Sequence, residues 1–288
     1  MSVSTPHAHR FRTATAVLVG FAIGAILIAV ALAVSSSGRG ADAGSGPAWS
    51  PWHPPDSGTL GARDIADYIA PSYRIDPLNQ LAVVTVVNLE SANAAAAAAS
   101  AAANGTATAT GAATGVAVAI HPSPTSSAIS LLGGNTIAYN LCGIGGKNCA
   151  IGVGTPSASR LLLLRREALE LALYTFRYLS GVQNVVTILP PGHTVVQSAL
   201  TRTPPTTDAK SKPLNVAVLF DRKELAPLLS HPLSELLPES TPPSVSTMAK
   251  APEAPLVEQV TGRGMFSEQL QQAQDGSNLI VLDPLPPQ

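Results

Sequence analysis

Charge is the scarcest ingredient of this 288-residue chain: Asp, Glu, Lys and Arg make up only 12%, and they cancel to a net −1. Binding nucleic acid requires clustered Lys and Arg that displace counterions from phosphates, so this composition argues for no nucleic acid partner. The same balance excludes a polybasic surface for anionic headgroups along the body of the chain. Aromatics are thin at 4%, which argues against stacking platforms for bases or sugars. The only two cysteines are Cys142 and Cys149. With no further Cys or His nearby in sequence they cannot supply about four zinc ligands, and their spacing is not the C-x-x-C of redox motifs. No cofactor or metal site is expected.

One absence is local. No charge or histidine lies between Arg12 and Arg39, and Ala14–Val34 is an unbroken apolar run. At about 1.5 Å per residue a helix here covers roughly 31 Å, the hydrocarbon thickness of a bilayer. Inside that core a continuous helix pairs its own backbone polar groups, each of which would otherwise cost several kcal/mol. Residues 14–34 therefore read as a single-pass transmembrane helix. Arg10 and Arg12 precede it and only Arg39 follows closely, which places the tail 1–13 in the cytoplasm and the rest of the chain outside. A second reading stays open: Ala31-Leu-Ala33 fits a signal-peptide cleavage pattern, although the run exceeds the usual apolar core of about 7–15 residues. Ala16, Gly20 and Gly24 repeat a small residue at every fourth position, a pattern that lets two membrane helices approach and form a homodimer.

Residues 35–58, rich in Gly, Ser and Pro, read as a flexible stalk carrying Trp49 and Trp52. Outside the cytoplasm Cys142 and Cys149 read as a disulfide closing a small ring, with three intervening glycines free to take positive φ. Thr59 is expected to cap a helix over residues 60–70, ended by Pro71. The β-branched stretch 81–88 reads as a buried strand, and residues 115–120, 136–141, 185–189, 214–220 and 279–282 continue the strand pattern. Thr155-Pro156 opens the strongest element, a helix running to Gly181 with Thr as its cap. At 100° per residue, Leu162, Leu169, Ala172 and Phe176 gather on a face meant for a sheet. Arg166, Glu167, Glu170 and Arg177 gather opposite, as an exposed charged stripe.

A helix is expected from Arg222 to about Leu229. The stretch 266–274 is ambiguous: Phe266, Leu270 and Ala273 have helical spacing, yet Asp275-Gly276 is a hairpin turn. Low-complexity insertions are expected at about 93–114, 203–213 and 238–255. Together these elements predict an α+β domain over 59–288, one mixed sheet with the long amphipathic helix packed on it.

No catalytic motif survives inspection. Gly143-Ile-Gly-Gly-Lys147 lacks the first glycine of a phosphate loop and has Asn148 where Ser or Thr must follow. Gly152-Val-Gly154 lacks the last glycine of a dinucleotide fingerprint. Ser246 and Lys250 sit one residue too far apart for a Ser-x-x-Lys nucleophile. His121, His193 and His231 are widely separated, show no catalytic acidic companion, and read as ordinary surface histidines. Arg166, Glu170 and Arg177 remain the polar group of most interest, either as a surface for a partner protein or as i,i+4 pairs on a solvated face.

The segment from Cys142 through RREALELALYTFRY to Pro191 resembles single-pass membrane-anchored proteins of high-GC Gram-positive bacteria. The resemblance implies a shared exported fold and brings no activity, substrate or catalytic residue with it. The expected role is a binding or scaffolding module of the cell envelope. The alternatives are an extracytoplasmic hydrolase whose site is assembled from distant loops, or an accessory subunit of an envelope or transport complex.

Overall fold

The computed structural model describes residues 49–87, 89, 116–121, 123, 128–133, 135–191, 215–238, 241–272 and 278–285. The expected tail 1–13, the transmembrane run 14–34 with Ala16, Gly20 and Gly24, and the insertions 93–114 and 203–213 lie outside these residues. Among the described residues no helix is long and apolar enough to cross a membrane.

In chain order the helices and strands are α1 (Gly58–Ile69), β1 (Val83–Val87), β2 (Val116–Ile120), β3 (Ser130–Leu131), β4 (Thr136–Cys142), α2 (Ala158–Tyr178), β5 (Asn184–Ile188), β6 (Val216–Asp221), α3 (Arg222–Leu229), α4 (Leu233–Leu236), α5 (Ala254–Arg263), β7 (Met265–Gln272) and β8 (Asn278–Pro284). All strands join one mixed sheet in the order β1-β4-β5-β6-β7-β8-β2-β3. Pairing is parallel at β4/β5 and β2/β8 and antiparallel elsewhere. This is the α+β architecture that the sequence predicts. The β4–α2–β5 unit supplies the long crossover that a parallel pair requires.

Alternation along the strands sorts side chains between two clusters, because successive residues face opposite sides of a sheet. Ile137, Tyr139 and Leu141 join the cluster under the helices, while Ala138 between them joins the second. Val216 and Val218 split from Ala217 in the same way. All the described α-helices contribute to the first cluster and none to the second. Helix α2 is its centre, with Leu163, Leu169, Leu171 and Leu173 each fully buried. Each such leucine contributes about 1.5–3 kcal/mol of transfer free energy.

Helix α2 is buried almost all round, because α1 flanks it on one side and α5, with the 3-10 turn Met248–Lys250, on another. Arg165 pins it to α5, donating to Thr261 Oγ1 at 2.6 Å and to the Glu258 carbonyl at 2.9 Å. Its cap is Ser157, which accepts from the Arg160 amide, and not Thr155. Its last turn is closed by Arg222, whose guanidinium donates to the carbonyls of Phe176, Leu179 and Val182 at 2.5–2.7 Å.

Several expectations are corrected. Stretch 81–88 yields β1, an edge strand with Val83 46% exposed, so its β-branched density reflects strand preference and not burial. Trp49 and Trp52, read as part of a stalk, pack against the helical core, and α1 starts at Gly58. The stretch 238–255 is not loose where described: Met248 is fully buried, Glu253 is 2% exposed, and α5 begins at Ala254 with Pro255 in its first turn, a place proline favours. Residues 265–272 form β7, which pairs along its length with β8, so the hairpin reading of 266–274 holds over the helical one.

Cys142 and Cys149 are disulfide-bonded, with Sγ atoms 2.06 Å apart. Gly145 takes the positive φ of 77°, but so do Asn148 and Cys149. Gly146 serves close approach instead: a Cβ there would sit 2.1 Å from the Ala150 carbonyl oxygen.

Candidate binding cleft

Arg166 and Glu170 are one helical turn apart on α2, the spacing that suggests an exposed pair. The fold buries Arg166 and half-buries Glu170. Arg166 is 1% exposed, because Tyr73, beyond α1, and Glu253, just before α5, close over it. Arg166 Nε donates to Glu253 Oε1 at 2.9 Å, and its Nη1 donates to Tyr73 Oη at 2.5 Å and to Glu170 Oε2 at 3.2 Å. Tyr73 Oη in turn donates to Glu170 Oε2 at 2.5 Å. Arg177, the third residue of the expected stripe, stays exposed and stands apart from this network, its guanidinium 5.7 Å from the centre of the Trp49 ring.

Burial dominates the protonation of this group. It pushes Tyr73 far up, and the nearby Glu170 carboxylate adds to the shift. It raises Glu170 as well, while Arg166 and Tyr73 pull back toward the charged form. For Arg166 burial acts downward but is outweighed by Tyr73, Glu170 and Glu253. Glu167 is the extreme case: fully buried, with neither oxygen hydrogen-bonded, and raised well above an ordinary carboxylate by burial and by Glu170. A carboxyl so placed keeps its proton.

Beside Glu170 the scarce aromatics converge. Both tryptophans of the chain meet Tyr68, Tyr174 and Tyr178. Trp52 stacks on Tyr68 with ring centres 4.2 Å apart and planes 5° from parallel. Trp49 stands edge-on to Tyr174 at 5.3 Å. Ser50 fixes the arrangement: its hydroxyl donates to the Trp52 carbonyl at 2.6 Å, so the 2.9 Å bond with Tyr174 runs from the tyrosine to Ser50 Oγ. The Leu233 amide donates to the Trp49 carbonyl at 3.0 Å, joining this segment to α4.

Between these parts lies a cleft of about 380 Å³, within the range of roughly 300–1,000 Å³ usual for small-molecule sites. Trp49, Tyr68, Tyr174, Leu233 and Leu237 line it, and among the described residues Glu170 is the only charged one in its lining. A second cavity of about 340 Å³ lies near the C-terminal end of α2, lined by Val87, Val118, Thr136 and Tyr178 among others, with no charge among its described lining residues. The first cavity pairs apolar walls with one carboxylate and is the better site.

The histidines part ways. His121, just past β2, pairs through Nδ1 with Asp283 Oδ1 of β8, and Gln269 donates to the other Asp283 oxygen at 3.2 Å. An acidic companion is thus supplied by a strand 162 residues away, a distance no local pattern reveals. His231 pairs with Glu235 at 3.2 Å on an exposed helix turn, and His193 lies outside the described residues. Among the described residues no group of three or more His, Cys, Asp or Glu could hold a metal ion. The cleft itself left one trace in the sequence: two tryptophans in an otherwise small and proline-rich segment. No family model, curated protein or solved structure matches this chain.

Proposed function

We propose that this chain is a membrane-tethered, extracytoplasmic binding module whose ligand occupies the cleft between Trp49, Tyr68 and Tyr174. The observation that carries the reading is the cleft itself: rigid aromatic walls around a single carboxylate, in a chain that otherwise has few aromatics and few charges. The apolar run 14–34 supports the tether, and the Cys142–Cys149 pair suits an oxidising compartment outside the membrane. Scaffolding in the envelope, or service as an accessory subunit there, follows from the same tether. Self-association through Ala16, Gly20 and Gly24 would double the valency of the cleft.

Two measurements test this. Immunoblotting of membrane fractions with an N-terminal epitope should find the intact tail, whereas cleavage after Ala33 would release it. Trp49 lines the cleft and Trp52 stacks on Tyr68 of its wall, so the intrinsic fluorescence of the chain reports on it. Titration with choline, acetate and glucose should give a saturable change with at least one, and a flat response to all three would sink the binding reading.

His121 and Asp283 favour a second reading, an extracytoplasmic hydrolase in which Asp283 orients the imidazole as a general base. It requires a hydrolytic activity of the purified chain that His121→Ala abolishes.

A further inference from the structure

We infer that the ligand of the cleft carries an organic ammonium group, an inference that rests on the binding role proposed above. The argument starts from the charge count at Glu170. Among the described residues one guanidinium, Arg166, is shared between two carboxylates, Glu170 and Glu253, so these pairs hold more carboxylates than cations. Both bonds received by Glu170 end on Oε2; among the described residues none ends on Oε1. Glu170 is also the only one of the network's carboxylates that lines the cleft.

The walls select the same ligand. Tyrosine and tryptophan rings present negative π faces that attract a cation held within about 6 Å, most strongly where water is excluded. Tyr68 is 40% exposed and keeps surface to offer. A sugar would instead need a fringe of unsatisfied hydroxyls and amides. Here Ser50 Oγ is already engaged with Trp52 and Tyr174, and Ser72 Oγ donates to the Ile69 carbonyl at 2.7 Å, so of the described lining serines Ser234 is left to serve a sugar. An anion would meet Glu170, with no cation among the described lining residues to answer it. Aromatic faces with a single carboxylate thus match an alkylated ammonium, whether on a free small molecule or on a lipid headgroup.

The test uses the full-length chain in a non-ionic detergent, with tryptophan fluorescence as the readout. Choline should give a saturable change, and its neutral carbon isostere 3,3-dimethylbutanol should bind at least tenfold more weakly. Glu170→Gln should weaken choline binding at least tenfold while circular dichroism confirms that the domain is still folded. Tyr68→Ala, at an exposed position away from the buried network, should weaken it several-fold and serves where the Glu170 variant fails to fold. Equal binding of choline and its isostere overturns the inference, as does choline binding unchanged in both variants. Saturation by glucose with none by choline overturns the ligand class but leaves the cleft a binding site; no response to any probe overturns both. Reconstitution into phosphatidylcholine and phosphatidylglycerol vesicles separates the sources. A spectral change on reconstitution into the former alone supports a lipid headgroup, and a saturable change on adding free choline to the latter, with no difference between the two vesicles beforehand, supports a soluble ligand.

Discussion

Arg166 and Glu253, 87 residues apart in sequence, form an ion pair with a 2.9 Å hydrogen bond in which both side chains are almost wholly buried. Such a pair adds little net stability against an apolar replacement of both partners, yet removing one partner leaves the other charge stranded. Arg166→Met in the 48–288 portion, which is a compact unit by itself, should therefore lose about 3–5 kcal/mol in urea denaturation. Adding Glu253→Gln to that variant should recover part of the loss, with a coupling of at least about 1 kcal/mol in the double-mutant cycle. Additive effects would mean that the pair does not act as a unit.

Glu167 sets a pH dependence of unusual sign. Its folded-state pKa lies well above the ordinary value of 4.5 because of burial and the neighbouring Glu170. Below about pH 4.5 both folded and unfolded chains hold the proton, and Glu167 contributes nothing. As pH rises from there toward the raised folded pKa, the unfolded chain releases the proton while the folded chain keeps it. The folded state then binds more protons, so stability falls with rising pH across that window. Glu167→Met removes both the ionisation and two unpaired oxygens. It should stabilise the domain at pH 7 by about 1–3 kcal/mol, and flatten its stability profile above pH 4.5 relative to the parent. A parallel pair of profiles would show that Glu167 titrates alike in both states.

The fold was legible where a local pattern decides it. The strand pattern over 136–141, 185–189 and 214–220 marks β4, β5 and β6, and the helix expected from Arg222 to about Leu229 is α3, whose cap Asp221 accepts from the Lys223 amide. The site was not legible, for a physical reason. A helical wheel assigns Arg166 and Glu170 to solvent because it knows only their own helix, whereas their burial is decided by Tyr73 and Glu253, each remote in sequence. Composition misled in the same way. Few aromatics gave no hint that most of the tyrosines and both tryptophans meet at one place, where Ser50 and Tyr174 hold the rings together.

Arg222 offers a test of how α2 is held at its end. Three carbonyls near that terminus, which carry the negative end of the helix dipole, receive its guanidinium, and the same group stands 5.1 Å from the Phe176 ring centre. Lysine keeps the charge but cannot span three acceptors with a planar fork. Arg222→Lys should cost about 1–2 kcal/mol and Arg222→Ala about 2–4 kcal/mol, read as shifts in urea midpoint. Equal stability of the lysine variant and the parent would reduce the role of Arg222 to its charge alone.

The last prediction concerns Trp49 and Trp52, which stand in a stalk-like segment in sequence and are partly buried against the helical core in the fold. Trp49 packs edge-on against Tyr174 and Tyr178, and its carbonyl receives the Leu233 amide; Ser50 adds the bond to Tyr174. A chain beginning at Thr59 loses all of these and uncovers the Tyr174 side of α2. Burying two tryptophans with their edge-to-face contacts is worth several kcal/mol even when they are only partly covered. The chain from Thr59 should therefore be less stable than the chain from residue 48 by at least about 3 kcal/mol. Trp49→Ala alone should account for about 2–3 kcal/mol of that. Far-UV circular dichroism in urea measures both, since it follows the helices and not the tryptophans removed. Matching midpoints for the two chains would show that the segment does not pack on α2 in solution, and the cleft proposed as the binding site would lose one of its walls.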